Sequence, residues 1–347
     1  MTILDTKSQQ FIDGIALRLG CEFEADAEAI QISKRTLPEI CRLSNEAEGL
    51  DASGSNFEQV RDAFGFGSLF SSAFSSAISK TVLDLYTGVI TNWQKIFNRA
   101  EVSRLDSERI VLEPLASPPE VPAGGDYPTT EGAGDIYGWR LSKYGRILTI
   151  SFESILADDT DLVKRLFQEH VNACRRLEDD LCFGLLINNP LMNDNAAFFC
   201  TGHTNLLTTN SFSEGNLSKA LAQLRGQKSK SGVALRLQPN FLLIPAALED
   251  VARKVMTSFY GAGDADKLEI VVESRLSGLS GGSTTTWYLG CDPKQIDSFV
   301  VGFLEGQTEP QALPLRKNLK VDGQQYLIRH VVGCKGVFER SMVKNTA

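Results

Sequence analysis

Between positions 160 and 188 the apolar side chains recur at helical spacing with no proline among them. At 100° per residue, Leu162, Val163, Leu166, Phe167, His170, Cys174, Leu177, Leu181 and Leu185 share one band, while Lys164, Arg165, Gln168, Asn172, Arg175, Arg176 and Asp179 lie opposite. This predicts one helix of roughly 40 Å. It starts after Asp158-Asp159 and stops at Asn188-Asn189-Pro190. Upstream, 5–48 and 57–97 read as helical, joined by a Gly/Ser/Asp hinge at 49–55. Stretches 102–115 and 136–151 read as strands flanking a tip that holds Pro114, Pro118, Pro119, Pro122, Pro128, Gly124, Gly125, Gly132 and Gly134. That tip has little to bury, so it is expected to lie exposed or against another chain. Downstream, helices at 216–227 and 246–259 alternate with strands at 233–237, 241–244, 268–272, 287–289, 299–304 and 326–332. No βαβ rhythm and no internal repeat emerges, so the class is α+β.

Composition narrows the function more than the fold. The chain has 347 residues, 42% of them hydrophobic, and a net charge of −8. That balance argues against a protein that coats nucleic acid with its whole surface, while leaving local contacts open. No apolar run is long enough to cross a membrane, and the N-terminus lacks the pattern of a signal peptide, so a cytosolic protein is expected. Seven scattered cysteines without a CxxC pair are read as reduced thiols.

Motifs that could carry chemistry each meet an objection. Gly278-Leu279-Ser280-Gly281-Gly282 matches G-x-S-x-G, but a loop and then a strand follow it, where a nucleophile elbow needs a helix. His170 and Cys174 stand four apart inside the apolar band, and Cys200 with His203 is a single pair, so no metal is expected. Asp158, Asp159 and Asp161 are read as helix caps. Asp161–Arg165, Arg165–Glu169, Arg175–Asp179 and Arg176–Asp180 are spaced for pairing along the polar helix face. Gly65-Phe66-Gly67 lacks the third glycine of a dinucleotide loop. No catalytic residue, metal or cofactor is expected.

Several blocks in collinear order resemble the major capsid proteins of tailed phages, the Hong Kong 97-type fold, and more narrowly the phage Mu-like major head subunits, including those encoded behind a prohead protease. They are Tyr144-Gly145-Arg146 with Ile150-Ser151, Asp158-Asp159, Phe198-Phe199 with His203 and Asn205, Pro239 with 242–245, Trp287-Tyr288-Leu289, 301–310, Arg329-His330, Gly333 and Arg340.

The resemblance implies an N-terminal helical arm (1–101), an extended β-hairpin loop (102–151), a peripheral domain (152–191) with a spine helix at 160–188, an axial domain (192–300) and return strands (301–347). It implies a subunit that assembles with itself into hexamers and pentamers of an icosahedral shell around double-stranded DNA. Portal, scaffold or prohead protease and decoration proteins are the further partners, and contact with DNA is non-specific. The place of the protein would be the virion capsid, assembled in the bacterial host cytoplasm. Expected inter-subunit contacts are Pro118, Pro119, Pro122 and Tyr127 at the tip, Trp139 and Arg146 on the returning strand, and Arg165, Glu169, Arg175 and Arg176 on the helix. Two departures stand out. Phe338-Glu339-Arg340-Ser341 lacks the acidic residue two positions before that arginine and the glycine after it, both common in the family, and 105–142 contains no lysine. Without a loop amine the shell is expected to be non-covalent. Residues 1–55 match poorly and leave two readings open, a processed remnant or an ordered arm. The alternatives are an encapsulin-like bacterial compartment and a serine hydrolase using Ser280.

Overall fold

The computed structural model describes residues 3–64, 68–88, 91–112, 120–121, 134–208, 211–230, 232–260, 268–315 and 323–346. The helices are α1 (Ile3–Arg18), α2 (Ala27–Ser33), α3 (Leu37–Ala47), α4 (Asn56–Ala63), α5 (Leu69–Thr87), α6 (Phe152–Leu156), α7 (Thr160–Asn188), α8 (Glu214–Arg225), α9 (Glu249–Tyr260) and α10 (Arg275–Gly278). The strands are β1 (Asn98–Val102), β2 (Asp106–Leu112), β3 (Gly134–Arg140), β4 (Ser142–Ser151), β5 (Leu206–Thr208), β6 (Pro239–Ile244), β7 (Glu269–Val272), β8 (Trp287–Cys291), β9 (Phe299–Leu304), β10 (Gln311–Pro314), β11 (Gly323–Gly336) and β12 (Met342–Thr346). The class is α+β, as expected.

Side-chain caps fix where the helices begin, because the first N–H groups of a helix have no partner inside it. Thr36 with Glu39 and Ser55 with Glu58 form reciprocal capping boxes at α3 and α4. Asp159 accepts the Leu162 N–H in the first turn of α7. Asp158 does something different from the cap expected of it. Its backbone turns to φ 57°, and its carboxylate accepts the Leu37 N–H at the start of α3 and pairs with Arg18.

The chain divides into two units. Unit 1 comprises Met1–Ile90, Lys143–Arg176 and Gly306–Val331. Its core draws on all three segments: Phe11, Ile15, Leu37, Ile40, Val60, Phe70, Phe74 and Ile78 from α1 to α5, then Phe152, Val163 and Phe167, then Ala312, Tyr326 and Ile328. Tyr326 stands at its centre, edge-on to Phe167 at 5.8 Å and 6.5 Å from Phe74. Small residues on α5 permit the approach, and Ser79 donates a hydrogen bond to the Ala312 carbonyl at 3.2 Å. The helices of residues 1–90, assigned from sequence to the arm, pack together, because each apolar stripe finds a partner inside the unit. The segment 91–101, assigned to the same arm, falls in the other unit.

The phase of α7 also differs from expectation. Leu162 is exposed, and Leu166, His170 and Cys174 are half-buried, while Val163, Phe167, Val171 and Arg175 form the buried line in unit 1. The buried face is therefore turned by one residue, about 100°, round the helix. The reason is Arg175. Its guanidinium donates to the carbonyls of Leu85 and Tyr86 in the last turn of α5 and lies over the Tyr86 ring at 5.4 Å. A cation there complements the helix C-terminus, so a charged residue occupies a core position that hydropathy assigns to the surface.

Unit 2 comprises Thr91–Ser142, Leu177–Glu305 and Val332–Ala347. A five-stranded sheet in the order β5-β12-β8-β6-β7 carries α8 and α9 over a core of Leu217, Leu224, Leu242, Ala252, Met256, Trp287, Leu289 and Val343. Separately, β1 runs parallel to β9, and β9 pairs antiparallel with 332–336 of β11. The expected strand at 102–115 is broken by a turn at 103–105, and that at 136–151 is divided at Leu141. Of the strand expected at 233–237, only an isolated bridge between Ala234 and Lys228 forms. The turn expected at 321–324 lies mostly outside the described residues.

Candidate assembly surfaces

Strands β2 and β3 pair in register from Asp106↔Arg140 to Leu112↔Gly134, making a two-stranded ribbon in unit 2. Strand alternation gives it two faces. The inner face is held down: Tyr137 is buried, Arg109 pairs with Asp297, Lys230 pairs with Asp135, and Asn193 donates to the Ile136 carbonyl at 2.9 Å. The Trp139 ring packs against the backbone at Gly302. A Cβ on Gly302 would come within 2.3 Å of its ring, and a Cβ on Gly333 within 2.7 Å of the Arg140 carbonyl oxygen. Gly302 and Gly333 are register partners on β9 and β11, so the two bare positions form one seat for the base of the ribbon. The outer face is open. Ile110 and Ile136 oppose each other there at 63% and 54% exposure, beside the exposed Asp106–Arg140 pair. An isolated two-stranded ribbon is marginal in water, so this seat is what holds its direction.

Of the expected contact residues, Pro118, Pro119, Pro122 and Tyr127 lie outside the described residues. Trp139 is half-buried in the seat, and its indole Nε1 has no hydrogen-bond partner among the described residues. In unit 1, Arg146 is exposed on β4 beside the exposed Ile147, and Arg165, Glu169 and Arg176 line the exposed face of α7. Glu169 and Arg176 approach to 3.8 Å. Arg175, also expected at a contact, is 8% exposed and engaged with α5 inside its own unit.

The acidic partners expected for Arg175 and Arg176 are engaged elsewhere. In unit 2, Arg275 collects Asp180 at 2.6 Å, Glu273 at 3.2 Å and Asp179 at 3.5 Å. Next to them Glu178 accepts the Trp93 indole N–H at 3.0 Å, and Asn92 donates to Glu273 at 2.8 Å. No sequence signal marked this cluster, because its members lie far apart along the chain. Burial acts most strongly on Asp179 and, with Glu273 and Glu178, pushes its carboxyl up to about 6 against the pull of Arg275. The sign of the consequence follows from proton linkage. The folded chain keeps a proton on Asp179 that the unfolded chain has already released. Unfolding free energy therefore falls as pH rises from about 4 to about 6, and this contribution is flat outside that window. In urea melts of the dissociated subunit, Asp179→Asn is expected to match the parent near pH 4 and exceed it near pH 7. A constant difference across the range would overturn this account.

His203 is a second tie. Its Nε2 faces the Asp194 carboxylate at 2.7 Å and its Nδ1 the Phe198 carbonyl at 3.0 Å, so both nitrogens meet acceptors. Burial opposes the charged ring, yet these bonds outweigh it and raise the His203 pKa. Asn205 completes the corner by donating to the carbonyls of Phe198 and Glu339. The residues of the matched block 198–205 thus hold a loop in place.

Of the motifs read from the sequence, Gly65-Phe66-Gly67 lies outside the described residues. Ser280 is exposed after the single turn of α10, with no hydrogen bond to a histidine among the described residues. His170 Nδ1 is 2.8 Å from the Leu166 carbonyl of its own helix. Among the described residues no group of three or more His, Cys, Asp or Glu is placed to hold a metal ion, and no helix is long and apolar enough to cross a membrane.

Residues 134–345 match a family model described as phage capsid protein. Among curated proteins none matches. Solved structures with similar folds include the capsid of Cyanophage P-SCSP1u, at 8% identity over 74% of this chain and 87% of that one, with a TM-score of 0.49. The capsid of Ralstonia phage GP4 matches at 11% identity over 72% and 86%, with a TM-score of 0.48. The holo-SrpI encapsulin complex from Synechococcus elongatus matches at 13% identity over 75% and 88%, with a TM-score of 0.47.

Proposed function

Because the chain belongs to the phage capsid protein family, and is by that membership a structural protein of the phage head, we propose that it forms hexamers and pentamers of a closed shell around double-stranded DNA. The α+β architecture, with a 29-residue spine helix and a seated ribbon, is the Hong Kong 97-type fold that the sequence led us to expect. In this reading 152–191 and the return strands 301–347 are peripheral, 192–300 is axial, and the shell assembles in the host cytoplasm with portal, scaffold or prohead protease. The Mu-like affiliation rests on the collinear blocks named above.

The observation that carries the proposal is the ribbon. One face is fixed to unit 2, the other bears an uncovered Ile110–Ile136 pair, and both strands lead into a proline- and glycine-rich tip. A weak contact of this kind, repeated at every subunit, gains strength by multivalency. Electron microscopy of the purified chain, alone and with scaffold and protease supplied, tests the reading. Closed shells, tubes or capsomer rings support it, and a chain that stays monomeric in both settings refutes it. Nucleic acid inside the particles separates a phage head from an enzyme-filled compartment.

The shell is expected to be non-covalent, since 105–142 offers no lysine amine for a cross-link. Mature particles boiled in detergent should therefore run as a single subunit band. A ladder of high-mass bands would contradict this.

A further inference from the structure

The loop that carries the G-x-S-x-G match builds something other than a nucleophile. Gly281, Gly282, Ser283 and Thr286 wall a small cavity in unit 2 together with Tyr288 and Lys344. The space is about 20 Å³, enough for one particle of water or halide size.

Lys344 is the unusual member. It sits on β12 in register with Tyr288 of β8, so both side chains stand on the same face of the sheet. Its ammonium is 5.7 Å from the ring centroids of both Phe199 and Tyr288, and no carboxylate pairs with it among the described residues. The other residues that wall the cavity are apolar or neutral: Ile187, Leu276 and the hydroxyl-bearing loop. Aromatic faces attract a cation but supply no counter-charge. A half-buried ammonium left so is costly, and burial lowers the Lys344 pKa accordingly. The loop itself is closed around the Ser283 hydroxyl, which accepts the N–H groups of Thr285 and Thr286, so its wall is fixed before anything enters.

We propose that this cavity binds a single small monovalent anion of halide size, with the Lys344 ammonium as counter-charge and the hydroxyls of Ser283 and Thr286 as polar wall. The ion ties the C-terminal strand β12 to the 281–286 loop, so chloride stabilises unit 2.

The test is urea unfolding of the full chain at fixed ionic strength, with sodium gluconate replaced stepwise by sodium chloride. An anion held by the folded form alone raises the midpoint, and the rise levels off once the site is full. The parent chain should show that saturating rise and Lys344→Met should lose it, whereas Ser280→Ala, on the exposed part of the same loop, should keep it. An equal response in Lys344→Met, or none in the parent, overturns the proposal and leaves the cavity to water. Should Lys344→Met not fold, anomalous diffraction from bromide-soaked crystals of the parent decides. A peak beside Lys344 Nζ supports the site, and peaks only elsewhere refute it.

Discussion

Removing residues 1–55 is expected to unfold unit 1 and not to release a shorter, assembly-competent subunit. The deletion takes away Phe11, Ile15, Leu19, Leu37 and Ile40, each at most 6% exposed, and leaves Phe70, Phe74 and Tyr326 facing water. At about 1.5–3 kcal/mol per buried side chain the loss is on the order of 10 kcal/mol. That is as large as the whole margin of a typical domain, about 5–15 kcal/mol. It also strips Asp158 of both Arg18 and the Leu37 N–H, leaving a half-buried carboxylate in a left-handed turn without its partners. Circular dichroism melts and limited proteolysis of the truncated chain measure this. Phe74→Ala probes the same core more gently, with an expected cost of about 3–5 kcal/mol. A truncated chain that melts cooperatively near the parent temperature and still builds shells would show that 1–55 is a processed remnant after all. The helices of this segment share the unit's core, and that sharing is what the truncation tests.

Deleting 116–134 is expected to have the opposite signature, an intact fold and a failed assembly. The deletion leaves in place what holds the ribbon: the pairs from Asp106↔Arg140 to Val111↔Asp135, Arg109–Asp297, Lys230–Asp135 and Trp139 on its glycine seat. Of the described residues within it, Glu120 and Val121 do not belong to the buried core. The melting temperature should therefore stay within a few degrees of the parent, the range of a change of about 1 kcal/mol or less. Closed particles should disappear from sedimentation and electron microscopy, because every subunit of the shell then lacks the same interaction with its neighbour. Unfolding of this variant would place the tip in a core. Normal shells would remove it from the assembly surfaces.

The two deletions also show where sequence reading succeeds and where it stops. The length of α7 was legible, since helical spacing runs unbroken to Asn188-Asn189-Pro190. Its phase was not, because Arg175, Glu178 and Asp179 are buried and a hydropathy pattern sends such residues outside. Each is buried for a partner distant in sequence: the end of α5, the Trp93 indole and Arg275. The ribbon was legible from two strands around a proline-rich tip, but not its breaks. Ser103, Arg104 and Leu105 turn the chain without glycine or proline, the residues that usually announce a turn. The helices of 1–90 were legible one by one, while their shared core was not, since an apolar stripe states that it needs a partner and not which one. At the candidate surface, Arg146, Arg165, Glu169 and Arg176 are indeed exposed. Gly302 and Gly333 lay inside matched blocks, and only the ring of Trp139 and the carbonyl of Arg140 explain why those positions are bare.

The paired glycines have a consequence for engineering. With the ribbon's root clamped rigidly between Trp139 and two side-chain-free positions, whatever replaces the peptide between Leu112 and Gly134 inherits the same launch direction. The tip is thus a swappable module on a fixed mount. A graft of new length or a binding peptide changes what the subunit reaches for, and leaves the folding of its body alone.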